Sequence, residues 1–143
     1  MNYSADAPQY AFRCELQLRW SDQDLLGHVN NARTVTLAEE ARVRADTAWF
    51  DDAAKVGSRV VRTQRIDFEA PIRYGPSLYA SVWVARIGRT SFTLVHDLWQ
   101  QGHRCALIEA VMVEVDPETG RPVPISDEDR ELLEAHAADS SGD

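Results

Sequence analysis

The chain has 143 residues, 44% hydrophobic and 27% charged, a composition typical of one globular domain with one buried core. Its formal net charge of −8 argues against a nucleic-acid-binding protein, because such proteins need a basic face. No apolar run approaches the roughly 18 residues of a membrane-spanning helix, and residues 1–8 carry no visible secretory signal, so we expect no membrane insertion. Cys14 and Cys105 lack metal-ligand spacing, which favours a reduced, cytoplasmic protein.

The first predicted element is a strand in which apolar and polar residues alternate. One face would carry Tyr10, Phe12, Cys14, Leu16, Leu18 and Trp20. A period of two over this length indicates a strand with one buried face. The polar stretch 21–31 then ends the strand, since Asp, Gly and Asn are turn and cap residues.

From about Ala32 to Phe50 the apolar period becomes helical, and Asn30 or Asn31 is the candidate N-cap. The predicted apolar stripe consists of Val35, Ala38, Ala41, Ala45, Ala48 and Trp49. Because the stripe is rich in alanine, the helix can approach a curved sheet closely. A loop is predicted over 51–57.

Four further strands are predicted at about 59–68, 78–87, 92–100 and 104–116. Their short, glycine-containing connectors indicate antiparallel hairpins. Ser126 is predicted to cap a short acidic helix and tail over 126–143. The pattern over the whole chain, 1–143, therefore predicts one α+β domain. Because a single helix cannot cover both faces of such a sheet, we expect a homo-oligomer in which a partner chain covers the other face or an edge.

The segment before the helix brings a carboxylate, Asp24, next to a helix N-terminus. Helix N-termini offer unpaired N–H groups and a positive partial charge, which suit a phosphate or a developing oxyanion. A carboxylate beside such donors would supply both halves of an acyl-transfer site. The same pattern also fits a purely structural turn, and spacing alone leaves both interpretations open.

The run RWSDQDLLGHVNNA over 19–32, followed by Glu39-Glu-Ala-Arg42, resembles the 4-hydroxybenzoyl-CoA thioesterase-like family. Weaker similarity lies in 68–71, 88–92 and 116–124. The resemblance implies a hotdog fold, in which a long antiparallel sheet of about five strands wraps around a central helix, with active sites at a dimer interface. It also implies hydrolysis of an acyl-CoA thioester without a metal or a bound cofactor.

The resemblance places the catalytic carboxylate on Asp24, not Asp22, as nucleophile or general base. It places the N–H that polarises the thioester carbonyl near Asn31. Glu39 is a second candidate catalytic carboxylate, facing the site from the neighbouring chain. An ion pair between Glu39 and Arg42 on the helix surface fits Glu39 equally well.

Candidate substrate-binding residues fall in two turns: Gly27, His28, Val29 and Asn30, and Arg89, Thr90 and Ser91. The second turn could hold a CoA phosphate or a pantetheine amide, although a polar turn is equally ordinary. Residues 33–35 stand where many family members carry an aromatic residue, so the acyl group stays open. The choice between a homodimer and a homotetramer stays open as well.

Two other functions remain as alternatives. A hotdog dehydratase or hydratase acting on an acyl thioester typically pairs a His with an Asp across the site, whereas His28 follows Asp24 within one loop. A non-catalytic acyl-CoA-binding protein would bind the same ligand without turnover. Release of free thiol, loss of enoyl absorbance, and binding without turnover separate the three functions.

Overall fold

The computed structural model describes residues 3–50 and 58–137 as an α+β fold in which one antiparallel sheet packs around a long helix. Its elements are β1 Phe12–Leu16, α1 Asn31–Phe50, β2 Arg59–Phe68, β3 Leu78–Ile87, β4 Ser91–Gln100, β5 His103–Glu114 and α2 Asp127–Ala135. The predicted fold class is confirmed. The predicted loop over 51–57 and the tail end, 138–143, lie outside the described residues, and the single domain over 1–143 stays a prediction. No helix in the described ranges is both long and apolar enough to span a membrane.

The first strand is shorter than the alternation predicts. It ends at Leu16, and a single 3-10 turn, Trp20–Asp22, follows. The two ends of the predicted apolar face, Tyr10 and Trp20, are 58% and 74% exposed. The alternation of apolar and polar residues in the sequence therefore extends beyond the five residues whose backbone pairs with β3.

The strand order is β1-β3-β4-β5-β2, and every pairing is antiparallel. The hairpins β3–β4 and β4–β5 are confirmed. The prediction of a hairpin between β2 and β3 is wrong, because β2 pairs with β5 at the far side of the sheet. Residues 69–77 instead form a crossover connection, and β2 is left as a ten-residue strand on an open edge.

Helix α1 packs against the sheet through its small residues. Its buried positions are Thr34, Leu37, Ala38, Ala41, Arg42, Ala45 and Trp49. Four of the six predicted stripe residues are among them, whereas Val35 is half-buried and Ala48 is exposed. Methyl side chains at the three central alanines let the helix backbone lie close to the sheet.

A buried ionic cluster joins α1, β2, β5 and α2 around Arg59, whose side chain is only 3% exposed. The Arg59 guanidinium lies 3.3 Å from Asp46, 3.1 Å from Glu114 and 3.2 Å from Asp129. It also stacks on the Phe50 ring, 3.9 Å from the centroid. Ser126 caps α2, as predicted, by accepting a hydrogen bond from the backbone N–H of Asp129. The cluster is therefore the ionic tie between the C-terminal helix and the edge strand.

A fully buried histidine, His96, lies on β4 between the core residues Leu94 and Leu98. Its Nδ1 lies 3.1 Å from the Ile108 carbonyl oxygen and donates to it, so Nε2 is left as the unprotonated nitrogen of a neutral ring. Burial, reinforced by the charge of Arg42, lowers the pKa of His96 to about 4. The fold therefore holds this histidine in its neutral form.

Acidification is expected to destabilise the protein through His96. In the unfolded chain His96 binds a proton below a pH of about 6.5, whereas in the folded chain it does so only below about pH 4. The free energy of unfolding therefore falls as the pH is lowered from about 6.5 to about 4. The full effect is about 3 kcal/mol. Urea unfolding between these pH values should show a smaller pH slope for His96→Gln than for the wild type. His103→Gln, at an exposed histidine, should keep the wild-type slope, and an unchanged slope in His96→Gln would contradict the assignment.

Candidate active site

The loop before α1 is a tight turn that presents Asp24 to solvent. The backbone N–H of Gly27 donates to the Asp24 carbonyl over 3.0 Å, and that of Asp24 donates to the His28 carbonyl over 2.9 Å. Gly27 has a φ of +79°, a left-handed conformation that favours glycine. The Asp24 Oδ1 atom accepts from the Leu26 N–H over 2.9 Å. The turn therefore fixes both the backbone and one carboxylate oxygen of Asp24.

Asp22 anchors this loop from beneath. Its buried carboxylate accepts from the Arg19 N–H over 2.9 Å and lies 3.3 Å from the Arg19 guanidinium. Its carbonyl oxygen accepts from the Asn30 N–H over 2.9 Å. The Val29 N–H donates to the Ile72 carbonyl over 2.8 Å, which ties the loop to the 69–77 connection. Asp22 is thus a structural residue, while Asp24 is exposed.

Helix α1 begins at Asn31, and Asn30 is its N-cap. The Asn30 Oδ1 atom accepts from the Ala32 N–H over 2.9 Å. No acceptor for the Asn31 N–H lies among residues 3–50 and 58–137. That N–H is one of the unpaired donors that a helix N-terminus directs at an anion or a polarised oxygen.

A cleft of about 330 Å³ lies between this loop and the opposite wall of the sheet. Its loop side is lined by Asp24, Leu26, His28, Val29, Asn30, Asn31 and Thr34. Its other side is lined by residues 68–72, Cys105 and Ala106. Carboxylate, helix terminus and an apolar floor thus share one cavity, as an acyl-transfer site requires.

The opposite wall is held in place by Gln100, which is 2% exposed. Its Oε1 accepts from the Arg73 N–H over 2.9 Å, and its Nε2 donates to the carbonyls of Arg73 and Pro76 over 2.8 and 3.0 Å. Cys105 lines the floor, and burial raises the pKa of its thiol to about 11. The thiol is therefore protonated near neutral pH and is not a competing nucleophile.

The structure brings together the predicted loop residues Asp24, His28, Val29, Asn30 and Asn31, with Gly27 forming the turn. The His28 ring lines the cleft, and no hydrogen-bond partner for it lies in the described part of the chain. The wall formed by 68–72 and Cys105 follows from long-range pairing, so no local pattern in the sequence marks it as part of a site.

Within one chain the remaining candidates lie away from this cleft. Arg89 and Thr90 lie in the β3–β4 turn, and Ser91, the first residue of β4, pairs with Val113, whereas the cleft floor is at Ala106. Seven residues along β5 separate these positions by roughly 23 Å.

Glu39 lies two turns into α1, where it accepts from Arg42 over 3.3 Å. It lines a second cavity of about 290 Å³ together with Val60 and Val61 of β2. The ion-pair interpretation of Glu39 is thus present in the structure, and its catalytic role stays a prediction.

Comparison with known proteins agrees with this architecture. A family model described as the thioesterase-like superfamily matches residues 18–134. A predicted thioesterase from Bacillus stearothermophilus is 29% identical, with a TM-score of 0.83 over 90% of this chain and 97% of that chain. A thioesterase from Thermus thermophilus, complexed with coenzyme A and Zn, is 31% identical, with a TM-score of 0.81 over 88% of this chain and 92% of that chain.

A curated relative, the uncharacterized protein YsmA of Bacillus subtilis, is 28% identical in an alignment of 131 residues that covers 87% of this chain and 86% of the relative. The family match spans most of the chain, so this protein belongs to the thioesterase-like superfamily and has its hotdog fold. The protein is therefore classed as a thioester hydrolase.

Proposed function

We propose that this protein hydrolyses an acyl-CoA thioester to a free acid and CoA, with Asp24 as the reacting carboxylate. One observation carries the proposal: Asp24 lines the same cleft as Asn31, whose backbone N–H has no acceptor among the described residues 3–50 and 58–137. The coenzyme A bound to the Thermus thermophilus thioesterase supports CoA as the thiol portion.

The two groups perform complementary parts of the reaction. The Asn31 N–H donates to the thioester carbonyl oxygen and stabilises the oxyanion that develops there. As a nucleophile, Asp24 attacks the carbonyl carbon, the C–S bond breaks, the thiolate takes a proton from solvent, and water cleaves the acyl–aspartyl anhydride. As a general base, Asp24 instead takes a proton from the water that attacks the same carbon, and the C–S bond then breaks as that proton passes to the leaving thiolate. No step in either route calls for a metal or a bound cofactor.

The proposed activity is tested by following thiol release across short-chain, long-chain and aromatic acyl-CoAs. Hydrolysis of at least one class, with equal amounts of acid and thiol formed, is the expected result. Loss of enoyl absorbance without thiol release would favour a dehydratase or hydratase. Saturable binding of every class without turnover would identify a non-catalytic acyl-CoA-binding protein.

The working enzyme is proposed to be a homo-oligomer built on the open edge of β2. This strand exposes ten residues of backbone edge together with three apolar side chains, Val60, Val61 and Phe68, which are 45%, 37% and 48% exposed. An edge of this kind is a template for pairing with another strand. Antiparallel pairing with the same strand of a second copy would satisfy its backbone groups in both chains.

Such pairing would complete the active site. A two-fold axis near the middle of β2 sets the Arg59 end of one strand beside the Phe68 end of the other. Phe68 belongs to the cleft of Asp24, whereas Val60 and Val61 share a cavity with Glu39. Val113, which pairs with Val60, also pairs with Ser91. The partner's Glu39 and its Arg89–Ser91 turn would therefore approach the Asp24 cleft that they do not reach within one chain.

A charge placed on the edge is expected to separate the copies. Val61→Lys should shift the sedimenting mass from dimer, or dimer of dimers, towards monomer and should lower thiol release in parallel. Glu15→Lys on the opposite edge strand, β1, is the matched control and should leave the mass unchanged. A wild-type protein that sediments as a monomer at micromolar concentration, yet hydrolyses thioesters, would refute the assembly and leave the proposed chemistry intact.

A further inference from the structure

We propose that Asn30 is a positioning residue that holds the Asp24 carboxylate aimed into the cleft, in addition to capping α1. The inference rests on the proposed function, because it concerns the group that reacts. The Oδ1 atom of the Asn30 amide caps the helix, and the Nδ2 atom donates to Asp24.

The helix cap fixes which way the Asn30 amide faces. Its Oδ1 accepts from the Ala32 N–H at 2.9 Å, the type of bond by which an N-cap side chain satisfies one of the first N–H groups of a helix. The Nδ2 atom is thereby turned towards Asp24 and lies 3.4 Å from Oδ2. The start of the helix thus sets the position of a hydrogen-bond donor over the carboxylate.

Asp24 receives donors on both oxygens. Oδ1 accepts from the Leu26 N–H over 2.9 Å, and Oδ2 faces the Asn30 amide. Hydrogen bonds donated to a carboxylate stabilise its charged form, which is the form that attacks or takes a proton. Asn30 is the only side chain in residues 3–50 and 58–137 that donates to Asp24.

Other titratable groups face the same cleft, and none replaces this donor. His28 comes from the same loop, while Glu69 and Cys105 come from the opposite wall. Glu69 lies 3.8 Å from Arg104, which is also bonded to Asp97 and Asp6. These charges are common to every variant below, so differences between variants report the Asn30 contact.

The second role of Asn30 explains why an asparagine, and not another N-cap residue, stands at this position. Aspartate and serine cap a helix as well as asparagine does, but neither supplies an N–H to a second carboxylate. A cap alone would tolerate all three residues. A cap that also donates to Asp24 from an atom separate from the capping oxygen requires the amide.

The test compares Asn30→Asp with Asn30→Ser, both of which retain the cap. In Asn30→Asp a second carboxylate stands about 3.4 Å from Asp24 and raises its pKa, so the acidic limb of the kcat/KM profile should move up by about one pH unit. In Asn30→Ser kcat should fall roughly tenfold with little change in KM, because the carboxylate loses an orienting contact. Thermal midpoints should stay close to wild type in both.

Gln23→Glu is the matched charge control, since it adds the same charge to the same loop. The Gln23 side chain donates to the Trp20 carbonyl and not to Asp24. This variant should leave the acidic limb in place. The pKa of Asp24 measured by carboxylate NMR gives a readout that needs no substrate. A shift seen by NMR in a protein that hydrolyses no acyl-CoA would overturn the proposed function alone. If the Asp24 pKa and kcat of both Asn30 variants match wild type, Asn30 is merely a cap and the inference fails.

Discussion

Replacing Asp24 with asparagine is expected to lower kcat for thioester hydrolysis by roughly 10²- to 10⁴-fold, the range that separates a positioned acid–base group from none. The amide retains an oxygen that can accept from the Leu26 N–H, so the turn should persist. The lost property is the negative charge, which both the nucleophilic and the general-base route require. Thiol release under saturating acyl-CoA is the measurement.

The control for Asp24→Asn is Asp127→Asn, which removes one exposed carboxylate in the first turn of α2. Wild-type kcat is expected there. Circular dichroism and sedimentation should show that Asp24→Asn keeps its fold and its oligomeric state. An Asp24→Asn protein that retains more than about a tenth of wild-type kcat would refute the assignment of this carboxylate, whatever its stability.

Elements set by local periodicity could be predicted from the sequence. The change from period two to period 3.6 near Asn31 marks α1, and glycine-containing connectors mark the β3–β4 and β4–β5 hairpins. Alternation alone overestimated β1, because a strand also needs backbone partners, and β3 offers them only to Phe12–Leu16. The pairing of β2 with β5 was missed, since chain neighbours are favoured by sequence, whereas the sheet order is decided by global packing.

The candidate site was predictable where its residues are contiguous. Asp24, Asn30 and Asn31 lie in one loop and at one helix start, so cap chemistry and the family resemblance both point to them. The cleft wall could not be predicted, because Cys105 and residues 68–72 reach Asp24 only through the β2–β5 pairing. Gln100 has no local signature, since its role lies in three backbone contacts made across the 69–77 connection.

Arg59 escaped sequence interpretation for a related reason. It recurs with Arg62 and Arg65 along β2, yet these three residues do not form one basic face, and only Arg59 is buried. Its carboxylate partners come from three other elements, which are separated widely in the chain. The position of Arg59 in a strand therefore gave no indication of the buried ionic cluster.

Arg59→Met is expected to destabilise the protein by about 3–5 kcal/mol near neutral pH, the cost of breaking a buried ion pair by removing one partner. Methionine fills much of the same volume, so the loss reports charge more than packing. Asp46, Glu114 and Asp129 would remain together without the cation that now separates them. Urea unfolding followed by tryptophan fluorescence, with thiol release as an index of the site, measures the effect.

The pH dependence separates this mechanism from a packing defect. Burial already raises the pKa of Asp46 in the wild-type protein, against the opposing effect of Arg59. Without Arg59 the folded-state pKa of Asp46 rises further above its unfolded value, so the Asp46 carboxylate destabilises the fold at neutral pH and ceases to do so as it binds a proton. The deficit of Arg59→Met should therefore narrow as the pH falls from 7 towards 5. Arg62→Met, at an exposed arginine on the same strand, should cost less than about 0.5 kcal/mol at either pH. If Arg59→Met lowers the free energy of unfolding only slightly, or by an amount that does not change with pH, the cluster stabilises the fold through packing and not through charge.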